Sequence, residues 1–374
     1  MSKESKFHPW REGTLEDWLL EELELAYRAA RKHKRGTDDE HEFELNAAKN
    51  LVQLRDDIIS RRYKPSAGIA FIIFQPVVRE IFAAPFRDRV VHHLVYNGQY
   101  DWFNNHMIAN SFSCREDKGT LKGVLQLQKA MRKVSKGGKV KAYVIKLDLS
   151  GYFMSMIRKI LYERVCWGLD RQFAQDKGQV YRLYKYLWRQ IIFDDPTDGV
   201  KRRGKLSDWQ KLPENKSLFA QAPGQGIVIG NLSSQLLSNI LLDQLDRFIT
   251  MVLGYKYYGR YVDDFYIVVT EDELPEMIKN IKRIEEFLAG MGLTLHPKKR
   301  YIQPVEHGVE FLGVRVYPNR LMPGKRLKRN FRKAVHKYMM GMAEKETIVS
   351  YLGHLRHLDS DKFIERTFAE VGWV

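Results

Sequence analysis

Two adjacent aspartates, Asp263 and Asp264, interrupt a strongly β-forming stretch of the chain at residues 255–269. Aromatic and β-branched residues flank the pair on both sides, which is typical of two strands joined by a short turn. The tip of such a hairpin keeps two carboxylates solvated, and two strands hold it rigidly. The oxygens then suit a hard divalent cation such as Mg²⁺. The sequence therefore predicts a metal-binding hairpin tip, with a simple polar turn as the alternative.

A third carboxylate follows another predicted strand. Residues 143–147 have strand composition, and Asp148 stands at their end. Phosphoryl transfer by two metal ions requires ligands on one face of a site, where the ions bridge the attacking and leaving oxygens. Asp148 and the Asp263–Asp264 pair could supply those ligands if their strands are neighbours.

Helical patterns separate and follow these strands. Apolar residues recur at helical spacing over residues 232–249 and again over residues 273–288. The order strand, helix, hairpin, helix, strand is that of a split β-α-β unit, which places its first strand beside the hairpin. An α+β fold with the three aspartates at neighbouring strand ends is the prediction.

Several segments, in order along the chain, resemble the sequence blocks of reverse transcriptases. They are residues 79–93, 110–119, 146–153, 261–264, 293–299 and 311–314. The resemblance runs from about residue 61 to the end. It implies a right-hand polymerase with fingers, a ferredoxin-like palm and a helical thumb. It also implies an RNA-directed DNA polymerase, a nucleotidyltransferase that makes cDNA by two-metal phosphoryl transfer.

The resemblance also predicts the subdomains. We expect an N-terminal helical extension at 1–62, fingers at 63–140 and 155–225, a palm at 141–154 and 226–320, and a basic helical thumb at 321–374. Residues 194–224 form a polar excursion within the fingers, and long loops of this kind are often functional or mobile. The functions of the extension and the excursion stay open.

The resemblance assigns roles to individual residues. Asp148, Asp263 and Asp264 would be the catalytic metal ligands, completed by the backbone carbonyl of Leu149. Two Mg²⁺ ions are the expected cofactors, with Mn²⁺ as a substitute.

A second group of residues would bind the incoming nucleotide. Arg79 corresponds to a fingers arginine that contacts the triphosphate, for which a bidentate guanidinium is suited. Phe153 corresponds to the steric gate against a ribose 2′-hydroxyl, with ordinary core packing as the alternative. Lys299 corresponds to the lysine near the pyrophosphate leaving group, although Lys298 is an equally basic neighbour.

A finer assignment depends on the segment from Ile229 through Gly230 to Gln235, which is also predicted to bind nucleotide. Its Ile-Gly-x-x-x-Ser-Gln form is similar to the enzymes of diversity-generating retroelements, which copy template RNA with errors opposite adenine. A glutamine at position 229 could hydrogen-bond around the nascent pair, and isoleucine cannot. Ile229 packing beneath the sheet is the alternative. Reverse transcriptases of antiphage defence systems look similar, so a defence enzyme that copies a dedicated noncoding RNA is the second interpretation. A catalytically silent RNA-binding scaffold is the third.

The charge of the chain agrees with a nucleic-acid partner. The formal net charge is +16, and residues 321–340 contain no acidic residue. A basic excess of this size favours salt-sensitive binding of a polyanion. Predicted nucleic-acid contacts are Arg115, Gly313, Lys325, Arg326, Lys328, Arg329 and Arg332. Expected partners are a structured template RNA, a cDNA or primer, deoxynucleoside triphosphates and a small accessory protein.

The same sequence predicts no membrane partner, because no apolar run is long enough to span a bilayer. The two cysteines, Cys114 and Cys166, indicate a reducing compartment without a disulfide framework. We therefore expect a cytoplasmic protein.

Overall fold

The structure, a computed structural model, describes residues 13–32, 36–74 and 77–372. Residues 1–12 of the predicted extension and 373–374 of the predicted thumb lie outside the described residues. The chain divides into two compact units. The first unit comprises residues 1–107, 150–245 and 288–294, and the second comprises 108–149, 246–287 and 295–374. Residues 108–140, predicted as fingers, therefore cluster with the second unit.

The helices and strands follow one another in this order: α1 (Leu15–Arg31), α2 (Asp38–Leu45), α3 (Ala47–Ile59), β1 (Ile69–Ile73), β2 (Arg79–Ala83), α4 (Phe86–His106), α5 (Thr120–Val134), β3 (Ala142–Asp148), α6 (Tyr152–Ser155), α7 (Arg158–Gln172), α8 (Gln179–Phe193), β4 (Lys201–Arg202), α9 (Leu206–Trp209), α10 (Leu232–Arg247), β5 (Tyr258–Tyr261), β6 (Asp264–Thr270), α11 (Leu274–Gly290), β7 (Tyr301–Pro304), β8 (Val309–Phe311), β9 (Val314–Val316), β10 (Leu321–Pro323), α12 (Lys325–Met339), α13 (Lys345–Leu355) and α14 (Asp361–Ala369).

The helical pattern of the N-terminal extension is confirmed from Leu15 onward. Thr14 caps α1: its hydroxyl accepts from the Asp17 amide, and the Asp17 carboxylate accepts from the Thr14 amide. This reciprocal arrangement satisfies donors that a helix N-terminus otherwise leaves unpaired. Leu19 and Leu23 of α1 are fully buried, and the helix packs against α3 and α4. The extension is therefore part of the first unit's core.

A three-stranded sheet of order β2-β1-β4 lies in the first unit. β1 and β2 are antiparallel, whereas β4 runs parallel to β1 with Ile69 opposite Lys201 and Ala70 opposite Arg202. β4 and α9 both belong to the predicted excursion at residues 194–224. That segment is therefore partly regular, because it extends an existing sheet.

A four-stranded antiparallel sheet of order β5-β6-β3-β7 forms the second unit's centre. The predicted hairpin is β5 and β6, and the predicted strand before Asp148 is β3, which pairs with β6 along its whole length. The helix predicted after the hairpin is α11. Helix α5 covers the sheet with Leu127 and Met131, both fully buried. The split β-α-β prediction is thus confirmed in strand order.

The C-terminal helices α12, α13 and α14 pack around their own small core in the second unit. Phe331 of α12 is fully buried, and its ring lies 5.8 Å from that of Phe363 and 5.9 Å from that of Phe368. Ile348 and Leu355 of α13 complete the core. No helix within residues 13–32, 36–74 and 77–372 has both the length and the apolar composition that a membrane span needs.

Candidate active site

The catalytic hairpin turns within two residues. Tyr261 of β5 pairs with Asp264 of β6, so Val262 and Asp263 form the turn. Val262 has φ +55°, where a β-branched residue is rare and glycine is usual. Such a conformation costs on the order of 1–3 kcal/mol and persists only when the surroundings hold it. The turn at Val262 and Asp263 is therefore held by contacts made outside the turn.

The structure brings the three predicted aspartates to one edge of the central sheet. Asp148, the last residue of β3, stands directly opposite Asp264, the first residue of β6. The Leu149 amide donates to the Asp263 carbonyl at 3.2 Å, which closes the ladder beyond the paired strands. Side chains directly opposite on antiparallel strands have Cβ atoms about 5 Å apart. The expected juxtaposition of Asp148 with the hairpin is confirmed.

Two lysines pair with two of the three carboxylates at this edge. Lys299 Nζ lies 2.8 Å from Asp148 Oδ1, and Lys146 Nζ lies 3.2 Å from Asp264 Oδ2. Lys146 also donates to the Glu310 carbonyl at 3.0 Å. Of the two lysines that the sequence left open, Lys299 is the one in contact with Asp148. The sequence reasoning missed Lys146, although a lysine two residues before Asp148 on one strand shares its face.

The electrostatics of the edge favour a cation. Burial raises the pKa of Asp264 to about 7; the Lys146 ammonium opposes this shift, and the charges of Asp148 and Asp263 add to it. Burial alone would lower the pKa of Lys299, but its hydrogen bond to Asp148 and the three aspartate charges raise it. Asp264 Oδ1 is buried and has no hydrogen-bond partner in the described part of the chain. A buried carboxylate oxygen without a partner is one that a bound cation would satisfy.

The residues present therefore fit a divalent ion, with one qualification of geometry. In the described ranges, no group of three or more His, Cys, Asp or Glu side chains is arranged to hold a metal ion as it stands. The Lys146 and Lys299 ammonium groups engage two of the three carboxylates. Metal ligation would require the carboxylates to exchange ammonium partners for the ion.

A fully buried ion pair between Arg260 and Asp246 supports the turn through a hydrogen bond from Arg260 to the Val262 carbonyl. The sequence did not lead us to expect it. The Arg260 guanidinium contacts both oxygens of Asp246 at 2.7 Å, and both side chains are 0% exposed. Arg260 also donates to Ser111 Oγ at 3.1 Å and to the Val262 carbonyl at 2.9 Å. The Tyr258 hydroxyl donates to Asp246 Oδ1 at 2.6 Å. An arginine within an otherwise apolar and aromatic strand was the signal that could have indicated it.

In the first unit, several predicted nucleotide-binding residues gather around β2. Phe153 and Ile229 are partly buried and pack on one apolar cluster formed by Ala70, Phe82, Met154 and Leu218. We call this set the β1–β2 cluster. The Phe82 amide donates to the Ile229 carbonyl at 3.3 Å. Arg79, at the start of β2, is exposed.

The two remaining members of that group differ in exposure. Gly230 has φ +133°, and a Cβ added there would lie 2.9 Å from the Phe82 carbonyl oxygen. This close approach to β2 explains why glycine occupies the position. Gln235 is exposed on α10. The nucleotide-binding roles of all these residues stay predictions.

The predicted nucleic-acid contacts lie in the second unit and are not equivalent. Gly313 has φ +83° in the turn between β8 and β9, and a Cβ there would meet nothing within 4 Å. Arg115 is partly buried and donates to the carbonyls of Ile108 and Ser111 at 2.6 and 3.1 Å. Some of the N–H donors of Arg115 therefore bond to the protein's own backbone.

The basic helix α12 shows a similar division. Lys325, Arg326 and Arg329 are exposed. Arg332 lies 3.5 Å from Glu370, and both Arg332 and Lys328 sit over the Phe363 ring at 5.4 and 5.7 Å. Among these five side chains, Lys325, Arg326 and Arg329 are thus the ones that are exposed and have no such neighbour in the described part of the chain.

The comparisons with known proteins agree with this geometry. Residues 78–316 match the family described as reverse transcriptase (RNA-dependent DNA polymerase). The chain belongs to the reverse transcriptase family. Protein YkfC of Escherichia coli strain K12 is 22% identical, over 82% of each chain. The RNA-directed DNA polymerase class predicted from the sequence is therefore confirmed at the level of the family, whose members use divalent metal ions.

Solved telomerase structures share the fold. The telomerases of Candida albicans and Candida tropicalis, each in complex with a fragment of telomeric RNA, align with TM-scores of 0.50 at 12% and 13% identity. The alignments cover 83% and 85% of this reverse transcriptase and 57% of each telomerase chain. The chain thus spans little more than half the length of these telomerases. The predicted right-hand polymerase fold is confirmed.

Proposed function

We propose that this reverse transcriptase synthesises cDNA on a template RNA by two-metal phosphoryl transfer, with Asp148, Asp263 and Asp264 as metal ligands. The observation that carries the proposal is the pairing of Asp148 with Asp264 across β3 and β6. Beside it lies Asp264 Oδ1, which is buried and has no hydrogen-bond partner among residues 13–32, 36–74 and 77–372. Incorporation of deoxynucleotides on an RNA template with Mg²⁺ tests it. A parent protein that incorporates none would contradict it.

Two Mg²⁺ ions, or Mn²⁺ in their place, would supply Lewis-acid stabilisation to the attacking and leaving oxygens. Besides the aspartates, the Leu149 carbonyl would hold them. The chain's own residues have further tasks. Lys299 carries positive charge beside Asp148 and would face the pyrophosphate. Arg79, exposed on β2, would contact the triphosphate with its guanidinium.

The subdomain assignment belongs to the same proposal. Fingers would comprise residues 63–140 and 155–225, the palm 141–154 and 226–320, and the thumb 321–374, after an extension at 1–62. The partners would be a template RNA, a cDNA or primer, deoxynucleoside triphosphates and a small accessory protein. Cys114 and Cys166 are both free thiols, and a cytoplasmic location stays a prediction.

We further propose that the enzyme belongs to a diversity-generating retroelement and copies RNA with frequent errors. Ile229 supports this proposal because its side chain has no hydrogen-bonding group to orient a nascent base pair. Its packing on the β1–β2 cluster agrees equally with the alternative, in which Ile229 serves packing alone. A template repeat and a variable-protein gene beside the coding gene would agree with it. A structured noncoding RNA within a defence island would instead favour an antiphage enzyme.

Replacing Ile229 with glutamine should lower misincorporation, most visibly opposite template adenine. One orienting hydrogen bond contributes on the order of 1 kcal/mol, which corresponds to about a fivefold change in discrimination. Sequencing cDNA made by parent and variant on one RNA template measures the effect. Ile229→Leu, which keeps the side chain apolar, is the matched control and should leave the error spectrum unchanged. Equal error spectra for parent and Ile229→Gln would show that residue 229 does not determine fidelity. A parent enzyme with a low error rate would favour the antiphage defence enzyme.

Replacing Phe153 with alanine should raise ribonucleotide incorporation relative to deoxynucleotide incorporation, because the ring would otherwise collide with a 2′-hydroxyl. Loss of a steric block of this kind should change the ratio by roughly 10-fold or more, as expected for about 1.4 kcal/mol of lost discrimination. Primer extension with each nucleotide type gives the ratio. Phe219 packs on the same β1–β2 cluster, so Phe219→Ala controls for lost packing. If both variants change the ratio equally, Phe153 is a packing residue.

A further inference from the structure

The excursion at residues 194–224 is fixed to the first unit at two places. β4 pairs with β1 near its beginning. Near its end, Glu80 of β2, only 1% exposed, accepts from Ser217 Oγ at 3.0 Å and from the Leu218 amide at 2.7 Å. Hydrogen bonds to a buried carboxylate are among the stronger ones in a protein. The residues between these anchors therefore form a defined surface.

That surface is strongly basic. Residues 201–217 contain two acidic side chains and six basic ones, which are Lys201, Arg202, Arg203, Lys205, Lys211 and Lys216. Lys211 pairs with Asp208 at 3.2 Å. Lys201, Arg203, Lys205 and Lys216 are exposed and form no ion pair with any described residue. Cations that the fold leaves unpaired on a fixed surface are available to an external anion.

Flat and apolar side chains are interleaved with these charges. The Arg202 guanidinium carbon lies 3.7 Å from the centre of the Phe219 ring and 5.2 Å from that of Trp209. Trp209 Nε1 donates to the Arg203 carbonyl at 3.3 Å, which orients the indole. Leu206 is 71% exposed. Cations alternating with aromatic and apolar groups suit single-stranded nucleic acid, whose phosphates and unpaired bases contact the two kinds of group.

The surface also adjoins the predicted nucleotide-binding residues. Val200 and Trp209 of the excursion pack on the β1–β2 cluster, the same cluster that Phe153 and Ile229 contact. All of these residues belong to the first unit. A strand bound along the excursion would therefore run beside the residues expected to select the incoming nucleotide.

We propose that residues 201–216 form a contact surface for single-stranded RNA. Lys201, Arg203 and Lys205 contact successive phosphates, and unpaired bases rest against Leu206 and Trp209. The inference rests on the proposed function in one respect: the RNA is the template ahead of its point of copying. An acidic protein is the other kind of partner that the charge alone would allow.

The test replaces Lys201, Arg203 and Lys205 together with glutamine and measures binding of a fluorescent single-stranded RNA at several salt concentrations. Each lost phosphate contact reduces the slope of log K against log salt by about 0.7, so three reduce it by about 2. Affinity at low salt should fall by about tenfold or more. These side chains are exposed, so the fold should be retained, which circular dichroism and thermal melting check.

The matched control replaces Lys49, Lys133 and Lys159, which are exposed on α3, α5 and α7, with glutamine. The net charge changes equally, and we expect a slope close to that of the parent. Equal slopes for both triple variants would overturn the inference. The same result is expected if the surface binds an acidic protein instead of RNA.

DNA synthesis by the same proteins separates this inference from the proposed function. A parent that polymerises, paired with an unchanged slope in the excursion variant, refutes the RNA surface alone. A parent that does not polymerise, paired with the reduced slope, refutes the polymerase proposal and supports the RNA surface.

Discussion

Replacing Asp263 and Asp264 with alanine should abolish deoxynucleotide incorporation, with a loss on the order of a thousandfold or more. The reason is that both carboxylates sit at the edge where Asp148 of β3 meets the hairpin, and the variant lacks their oxygens. Binding of template RNA should persist, because the proposed phosphate contacts belong to cations elsewhere in the chain. Primer extension and RNA-binding titration measure the two properties separately.

Two controls exclude trivial causes of this loss. Asp272→Ala removes an exposed carboxylate just after β6 and should leave synthesis unchanged. Asp264→Asn keeps the shape of the side chain and removes its carboxyl group. Burial raises the pKa of that carboxyl to about 7. Without divalent ions at neutral pH, Asp264→Asn should be at least as stable as the parent, and with Mg²⁺ present it should be inactive.

The sign of that stability effect follows from linkage. A carboxyl whose pKa is higher in the folded chain than in the unfolded chain binds its proton more tightly when folded. Its contribution to stability is therefore lost as pH rises toward 7. An asparagine has no proton to lose.

Normal synthesis by the double alanine variant would refute the assigned metal ligands, and an inactive parent that still binds RNA would favour the silent scaffold.

The second large effect concerns the buried pair of Arg260 and Asp246. Replacing Arg260 with methionine should lower the free energy of unfolding by about 3–5 kcal/mol, because it leaves the Asp246 carboxylate buried without its cation. Asp246→Asn should be comparably destabilising, since it leaves a buried guanidinium. Urea denaturation of each variant measures the loss.

The double variant, Arg260→Met with Asp246→Asn, separates stability from positioning. It leaves no buried unpaired charge, and the asparagine carbonyl can still accept from the Tyr258 hydroxyl, so we expect it to recover at least half of the lost stability. It lacks the donor to the Val262 carbonyl, so the strained turn at Val262 and Asp263 loses a stabilising contact.

Synthesis by the double variant should therefore stay reduced at temperatures where it is fully folded. The matched control is Arg260→Lys, which keeps the positive charge but not the fork that reaches Asp246, Ser111 and Val262 at once. Recovery of full synthesis in step with stability in the double variant would show that Arg260 acts on folding alone.

Several elements could be predicted from the sequence because their signals are local. Aromatic and β-branched composition predicts β3 and the hairpin, and apolar spacing near 3.6 residues predicts α11. The adjacent aspartates and Asp148 were recognisable because each ends or interrupts such a pattern. The order of the blocks was enough to indicate the family, since motif order along a chain needs no three-dimensional information.

Contacts between distant segments depended on the tertiary structure. Position alone does not distinguish Lys299 from Lys298, and the selection of Lys299 follows from how the chain after α11 meets the end of β3. The anchoring of the excursion by Glu80 joins residues 137 and 138 positions apart. Local patterns carry no information about which strand will lie beside β1 or which carboxylate will be buried.

The sequence by itself determined which carboxylates stand at strand ends, which family the chain belongs to and where its basic charge lies. Only the tertiary structure decided which lysines pair with those carboxylates, that one buried oxygen of Asp264 has no partner among the described residues, and that Arg260 supports the turn. The physical reason is that secondary structure follows from interactions within a few residues. The electrostatics of a site depend instead on burial and on side chains that strand pairing brings together from distant parts of the chain.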